Sequence, residues 1–318
     1  MTALSRRRFI RIAVGGAAIA ALTGMPAARA STPLIRWKGV VLGAEAEMVL
    51  PAADAGRLVA LTLAEIGRLE KIFSLYRDDS ALVRLNRQGH LEAPPIELVE
   101  LLSRAEAVSA ASGGAFDVTV QPLWEAYAAH FSRPGADPEG PPPAVIEAAL
   151  ARVDWRAVEV GPAHIRFTKP GIAVTLNGIA QGYITDRVTE RFRAGGFGNI
   201  LLNLGETRAL GAHPDGRPWQ VATGEGDGAN PLVDGAIAVS AAGFTPDAAA
   251  NHLFDPRNGK TAKHYAWMSV EAPTATEADA WSTAFSLMPM ARIRAALPGT
   301  AIRRVRLRER GRAVTITF

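Results

Sequence analysis

The stretch ITDRVTERFRAGGFGNILLNLGETRALG, residues 184–211, carries a helix, a stop and two short strands in direct succession. Ile184, Val188 and Phe192 recur at steps of four, the spacing of one helix face. Gly195 and Gly196 end that run. Residues 200–204 and 207–211 follow as short apolar segments set apart by glycine, the pattern of strands. Further strand-like runs lie at 219–223 and 236–241. The tail alternates over 304–308 and again at Val314, Ile316 and Phe318, which predicts a terminal hairpin with a basic, solvated outer face.

Three more helices frame these strands. Val59, Leu63, Ile66, Leu69 and Phe73 mark a helix over 54–73, with Asp54 as its N-cap. Leu98, Leu101, Leu102, Ala105 and Val108 mark another, between Pro94-Pro95 and Gly113-Gly114. The last, about 276–288, turns Ala280, Ala284, Phe285 and Met288 inward. Residues 133–143, dense in Pro, Gly and Asp, read as a surface loop without forcing a domain break. Helices and short strands interleave without a strict βαβ rhythm, so the fold class is α+β. No GxGxxG or GxxxxGK[ST] pattern is present, which leaves dinucleotide-binding and P-loop folds without support.

Residues 1–30 have the layout of a twin-arginine export signal. Arg6-Arg7-Arg8 precede an apolar stretch from Ile12 to Leu22, and Ala28-Arg29-Ala30 supplies small residues at a cleavage position. That run is short and rich in Gly and Ala for a membrane span. The segment holds five arginines and no acid, so its removal takes the formal +4 to −1. The basic balance therefore belongs to the signal and gives no argument for nucleic acid. The domain reading is a signal at 1–30, a mature domain at 31–318 and a periplasmic destination. There is no cysteine, which excludes disulfides, thiolate metal ligands and cysteine nucleophiles.

Four segments carry chemistry-bearing residues. In 276–284, Asp279 and Thr283 stand at i and i+4, which puts a carboxylate and a hydroxyl on one helix face. Such a pair suits a hard cation such as Mg²⁺. A capping or solvent-facing Asp with a Thr bonded back to its own helix is the plainer reading of this spacing alone. In 175–183, Gly178 and Gly182 lead into the third helix, where backbone can approach a ligand and helix N-termini favour phosphate. In 112–123, Phe116 and Asp117 follow a helix end and precede a β-branched run, as at a helix-to-strand turn. In 251–259, Asp255-Pro256 and Asn258-Gly259 are turn formers with His252 beside them.

Taken in order, these segments resemble the ApbE family of FAD:protein FMN transferases. The resemblance begins at Leu42-Gly43-Ala44, in a strand position, and runs through 73–80 and Leu85-Asn86. It continues through 114–119, 175–186, Asn203-Leu204-Gly205, 252–259 and 274–284, nearly all of the mature chain. It implies two lobes around a flavin and Mg²⁺ cleft, with mixed and antiparallel strands and packed helices. It also implies that Gly178, Asp279 and Thr283 hold Mg²⁺, with Asp279 and Thr283 central to catalysis. Leu42, Tyr76, Ala115, Phe116, Asp117, Thr175, Gln181 and His252 would contact FAD, with Tyr76 stacking on the flavin. Thr175 and Gln181 depart from the family's usual acid and its usual Lys or Glu, and Ser240 and Gly243 stand in a changed arrangement.

The implied reaction moves FMN from the substrate FAD to a Ser or Thr hydroxyl of an acceptor protein and releases AMP. The implied acceptor is a periplasm-facing, flavinylated subunit of a membrane redox complex, and the membrane is met only through it. Two other readings fit the same residues: a Mg²⁺-dependent FAD pyrophosphatase, and an FAD carrier or assembly factor without turnover.

Overall fold

The computed structural model describes residues 33–223, 228–241, 251–309 and 312–317. The expected export segment and Gly243 lie outside the described residues. The helices, in chain order, are α1 (Ala55–Phe73), α2 (Ala81–Gln88), α3 (Ile96–Ala111), α4 (Gln121–Phe131), α5 (Pro143–Leu150), α6 (Ala180–Ala194), α7 (Ala275–Ser286) and α8 (Met290–Ala296). The strands are β1 (Leu34–Val41), β2 (Ala44–Pro51), β3 (His90–Glu92), β4 (Val158–Val160), β5 (His164–Phe167), β6 (Ile200–Asn203) and β7 (Thr207–Leu210). They continue with β8 (Trp219–Ala222), β9 (Ala229–Leu232), β10 (Ala236–Ala241), β11 (Trp267–Ala272), β12 (Arg304–Glu309) and β13 (Arg312–Thr317).

Eight strands form one sheet in the order β1-β2-β6-β7-β10-β11-β12-β13, and each neighbouring pair is antiparallel. Successive side chains of a strand point to opposite faces. Accordingly Met48, Leu50, Ile200, Leu202, Leu210 and Ala238 turn to the main core with α1, α6 and α7. Val49, Leu201, Ala209 and Ile237 turn the other way, onto Trp219, Val221 and Leu232 of the two-stranded β8–β9 ribbon. The main core runs without a break from the sheet to α3 and to the small β3-β5-β4 sheet, so the parts of the molecule share one interior. Among the described residues, no helix is long and apolar enough to cross a membrane.

The α+β reading, the four helices and the runs at 200–204, 207–211, 219–223 and 236–241 all appear. Local readings differ in four places. Leu42 is not in a strand: with Gly43 it makes the two-residue turn of the β1–β2 hairpin. Their φ values of 51° and 79° meet the positive-φ condition of a type I′ turn. Residues 115–120 form a loop into α4 instead of a strand, because Asp117 pulls the backbone into local bonds. Asp54 sits at the N-cap of α1 but makes no cap bond, its carboxylate being taken by Arg57 at 3.2 Å. The basic residues of β12 are not simply solvated, since β12 is an inner strand: Arg304 pairs with Glu271 at 3.5 Å and Arg306 reaches Asn230 on the ribbon. Residues 133–142 lie in the loop between α4 and α5, as expected, and Pro143 opens α5.

The site depends most on how α6 and α7 pack. The two run antiparallel, and the contacts repeat every four residues. Gly178 faces Thr283, Gly182 faces Ala275 and Asp279, and Asp186 meets the first turn of α7. A Cβ on Gly182 would stand 2.3 Å from the Ala275 carbonyl oxygen, so only glycine allows this approach. Gly182→Ala must push the helices apart and should cost about 1–3 kcal/mol or more by overpacking. A urea titration of the variant, showing a lower midpoint at an unchanged slope, checks this.

Candidate functional site

Four segments meet at this junction: the lead into α6, the middle of α7, the loop 115–119 and the β6–β7 turn. Their convergence begins with a cap. Asp186, on α6, accepts the Ala275 and Thr276 amides at 2.9 and 2.8 Å and the Thr276 hydroxyl at 2.6 Å. Those amides are orphan donors at a helix start, so a neighbouring helix supplies what a local cap cannot. Thr274 completes the terminus by accepting the Glu277 amide at 3.2 Å. With α7 fixed, Asp279 accepts the Gly182 amide at 3.0 Å.

Gly178 lies one turn further. A Cβ there would stand 3.1 Å from the Thr283 hydroxyl oxygen and 3.4 Å from the Phe116 ring. Gly178, Asp279, Thr283 and Phe116 are therefore brought together, although they come from three separate parts of the chain. Phe116 and Ala115 are buried, and the Phe116 amide is held by the Ser112 hydroxyl at 3.1 Å. The loop before α6 is fastened twice. The Thr175 amide donates to the Val118 carbonyl at 2.8 Å, and the Asn86 side chain makes two 2.8 Å bonds to the Val174 backbone.

Other expected site residues take different places. Asp117 is committed to protein donors, accepting from the Thr119 amide and hydroxyl and from the Trp155 amide at 2.7, 2.6 and 3.1 Å. Burial nonetheless raises its carboxyl above the ordinary range. Gln181 rests on the β6–β7 turn, where a Cβ on Gly205 would come within 2.9 Å of its amide carbon. Tyr76 is exposed in the loop between α1 and α2, and Leu42 occupies its hairpin turn. His252 precedes the turn closed by Gly259, and burial pushes its imidazole down to about 4, so the ring is neutral at pH 7. Leu42, Tyr76 and His252 thus belong to three other segments, the β1–β2 turn, the α1–α2 loop and the turn 251–259.

Glu206 was not foreseen. It follows Gly205 in the β6–β7 turn, is buried, and lies close enough to Asp279 for their charges to interact. Burial first, then the Asp279 charge, raises the Glu206 carboxyl well above the carboxylate range. Burial likewise pushes Asp279 up to about 7, with the Asp186 charge adding to it and the Gly182 amide opposing it. Two buried acids cannot both ionise cheaply without a cation.

Among the described residues, no group of three or more His, Asp or Glu is arranged to hold a metal ion. The oxygen set offered by Asp279, Thr283 and the Gly178 backbone is of another kind, with one carboxylate only. Two observations fit it to a hard divalent cation. Neither Asp279 nor Glu206 has a cationic partner among the described residues, and the missing Cβ of Gly178 lets its backbone come close to the Thr283 hydroxyl.

Solved structures with this architecture include the flavinyl transferase ApbE of Pseudomonas stutzeri in its apo form. Its TM-score is 0.75 at 26% identity, covering 92% of this chain and 97% of that one. The flavin transferase ApbE of Vibrio cholerae has a TM-score of 0.77 at 22% identity, covering 90% and 97%, a likeness of fold. Curated relatives named FAD:protein FMN transferase include one from Salmonella typhimurium, 25% identical over 271 residues, 79% of this chain and 75% of the relative. Another, from Treponema pallidum, is 29% identical over 265 residues, 74% and 72% of the two chains. The class defined by fold and site is thus the flavin transferases. The chain belongs to the ApbE family, whose sequence pattern matches residues 42–302.

The raised Asp279 carboxyl has a consequence for the metal-free protein. An acid whose folded pKa lies above its unfolded value favours folding below the unfolded value, and that benefit is lost as pH rises through the folded one. Stability of the metal-free protein should therefore fall between about pH 4 and pH 8, on the order of 2–4 kcal/mol. Asp279→Asn should flatten this fall. Denaturant midpoints measured across that range in the presence of a chelator check it.

Proposed function

We propose that this enzyme of the FAD:protein FMN transferase type uses Mg²⁺ to move FMN onto a Ser or Thr hydroxyl of an acceptor protein, releasing AMP. The observation that carries the reading is the placement of Thr283 against Gly178, one turn from a buried Asp279 without a cationic partner among the described residues. Asp279, Thr283 and the Gly178 backbone would hold the ion. Bound there, Mg²⁺ supplies charge neutralisation to a diphosphate.

The chain's own residues supply position and dryness. Asp279 is aimed by the Gly182 amide, so its carboxylate does not have to reorganise during the reaction. Phe116 is buried and packs on the Gly178 side, where it would limit the access of water and so favour transfer over hydrolysis. In the reaction the acceptor oxygen bonds to the FMN phosphorus as the bond to AMP breaks. The acceptor hydroxyl gives up its proton as its oxygen bonds to phosphorus, and Asp279 or Glu206, the buried carboxylates of this site, would take it. Ala115, Thr175 and Gln181 border the same junction and are assigned to FAD, together with His252, Tyr76 and Leu42 from the resemblance.

The acceptor is proposed to be a periplasm-facing, flavinylated subunit of a membrane redox complex. Its support is the twin-arginine layout of residues 1–30.

Incubation of the protein with FAD, Mg²⁺ and an acceptor domain should raise the acceptor mass by one FMN as AMP appears. AMP without a mass gain would identify a pyrophosphatase, and bound FAD with neither product a carrier. Asp279→Ala should lower both products by more than about 100-fold, the scale of losing a fixed electrostatic contact to the transition state. An unchanged rate in that variant sinks the metal assignment.

A further inference from the structure

On the Asp186 side of the α6–α7 junction lies a cavity of about 100 Å³ that the transfer chemistry does not use. Its walls include Glu100, Arg104, Asp186, Arg187, Arg208 and Thr276. The acids of this wall are already engaged. Asp186 caps α7, and Glu100 accepts the Tyr183 hydroxyl at 2.5 Å. The neighbouring Glu190 takes Arg187 Nη1 at 2.8 Å.

Some guanidinium N–H groups of the wall are left over. Arg208 is 6% exposed, and among the described residues its Nε and Nη1 have no hydrogen-bond acceptor, with the Asp186 carboxylate 3.4 Å from Nε. Arg187 likewise leaves its buried Nε without an acceptor among the described residues. Arg104 is exposed at the rim and makes no ion pair among the described residues. Buried N–H groups are almost always paired, and guanidinium donors match the oxygens of a tetrahedral anion. Binding pockets for drug-sized ligands run to about 300–1,000 Å³, so this one has room for a single small anion and not for a nucleotide.

We propose that this cavity is a binding site for a small tetrahedral oxyanion, with inorganic phosphate as its ligand, held by Arg208, Arg187 and Arg104. The cavity shares Asp186 with the α7 cap, so its ligand would lie beside the helix that carries Asp279 and Thr283.

The test is thermal unfolding of the full chain in HEPES buffer without divalent ions, titrated with sodium phosphate against sodium chloride of equal ionic strength. The melting temperature should rise saturably with phosphate and not with chloride, as expected for a ligand that binds only the folded state. Arg104→Ala, an exposed change that keeps the fold, should weaken the phosphate midpoint about tenfold, and Arg187→Gln should do the same. Arg156→Ala, remote from the cavity, should leave it unchanged. A rise no larger than in chloride overturns the proposal. So does a phosphate response of equal midpoint in wild type, Arg104→Ala and Arg187→Gln, which would place the anion elsewhere.

Discussion

The structure depends on one antiparallel contact, that of α6 with α7. Asp186 meets both first-turn amides of α7, and Gly182 lets the two backbones close to a distance that no other residue allows. Each contact needs the other. Without the glycine, the carboxylate would fall short of the amides; without the cap, buried donors at the helix start would lack partners. Arg208, itself buried, pairs with Asp186 and carries the constraint into β7, so the helix pair is keyed to the sheet it covers.

That geometry has an electrostatic cost. It buries Asp279 and places Glu206 beside it, and both carboxyls respond by holding their protons more tightly. A structure optimised for stability alone would avoid two acids here, because a buried charge without a partner is expensive. Residues that break such a rule concentrate at functional sites. The Gly182 and Val239 amides offset part of the cost by stabilising the ionised forms. A bound cation would offset the rest.

Much of this was legible in the sequence, because period is a local property. The four-residue steps of α6 and the short runs of β6, β7, β8 and β10 follow from it, and so does the helical spacing of Asp279 and Thr283. Pairing is not local. Gly178, Gly182 and Asp186 form a four-residue series in one segment, and Ala275, Asp279 and Thr283 form another, yet nothing in either shows that they face each other. Glu206 was missed because an acid after glycine between two strands reads as a turn residue, and only the packing buries it. Asp117 shows the same limit from another side. The resemblance gives it a place at the flavin pocket, while its local spacing does not show that Thr119 two residues on and Trp155 far along the chain donate to its two oxygens. Leu42 sits in a turn because the hairpin requires positive φ there, a demand that an apolar side chain does not announce.

The other end of α7 explains why a cluster drawn from distant segments can be exact. Arg257 holds Asp255 by two bonds of 2.8 Å and donates to the Leu287 carbonyl at 2.7 Å, in the unsatisfied last turn of that helix. The turn 251–259 is thus a second clamp, where the sequence offered only a β-turn beside a histidine. Held at its first turn by Asp186 and at its last by Arg257, α7 has little freedom to shift or fray. Asp279 and Thr283 lie between the two clamps, and Ser282 is tied to Ser240 of β10 at 2.7 Å. Side chains that must meet a ligand to within a fraction of an ångström are best carried on such an element. The loops then need only to bring Phe116 and the Gly178 backbone up to a helix that does not move.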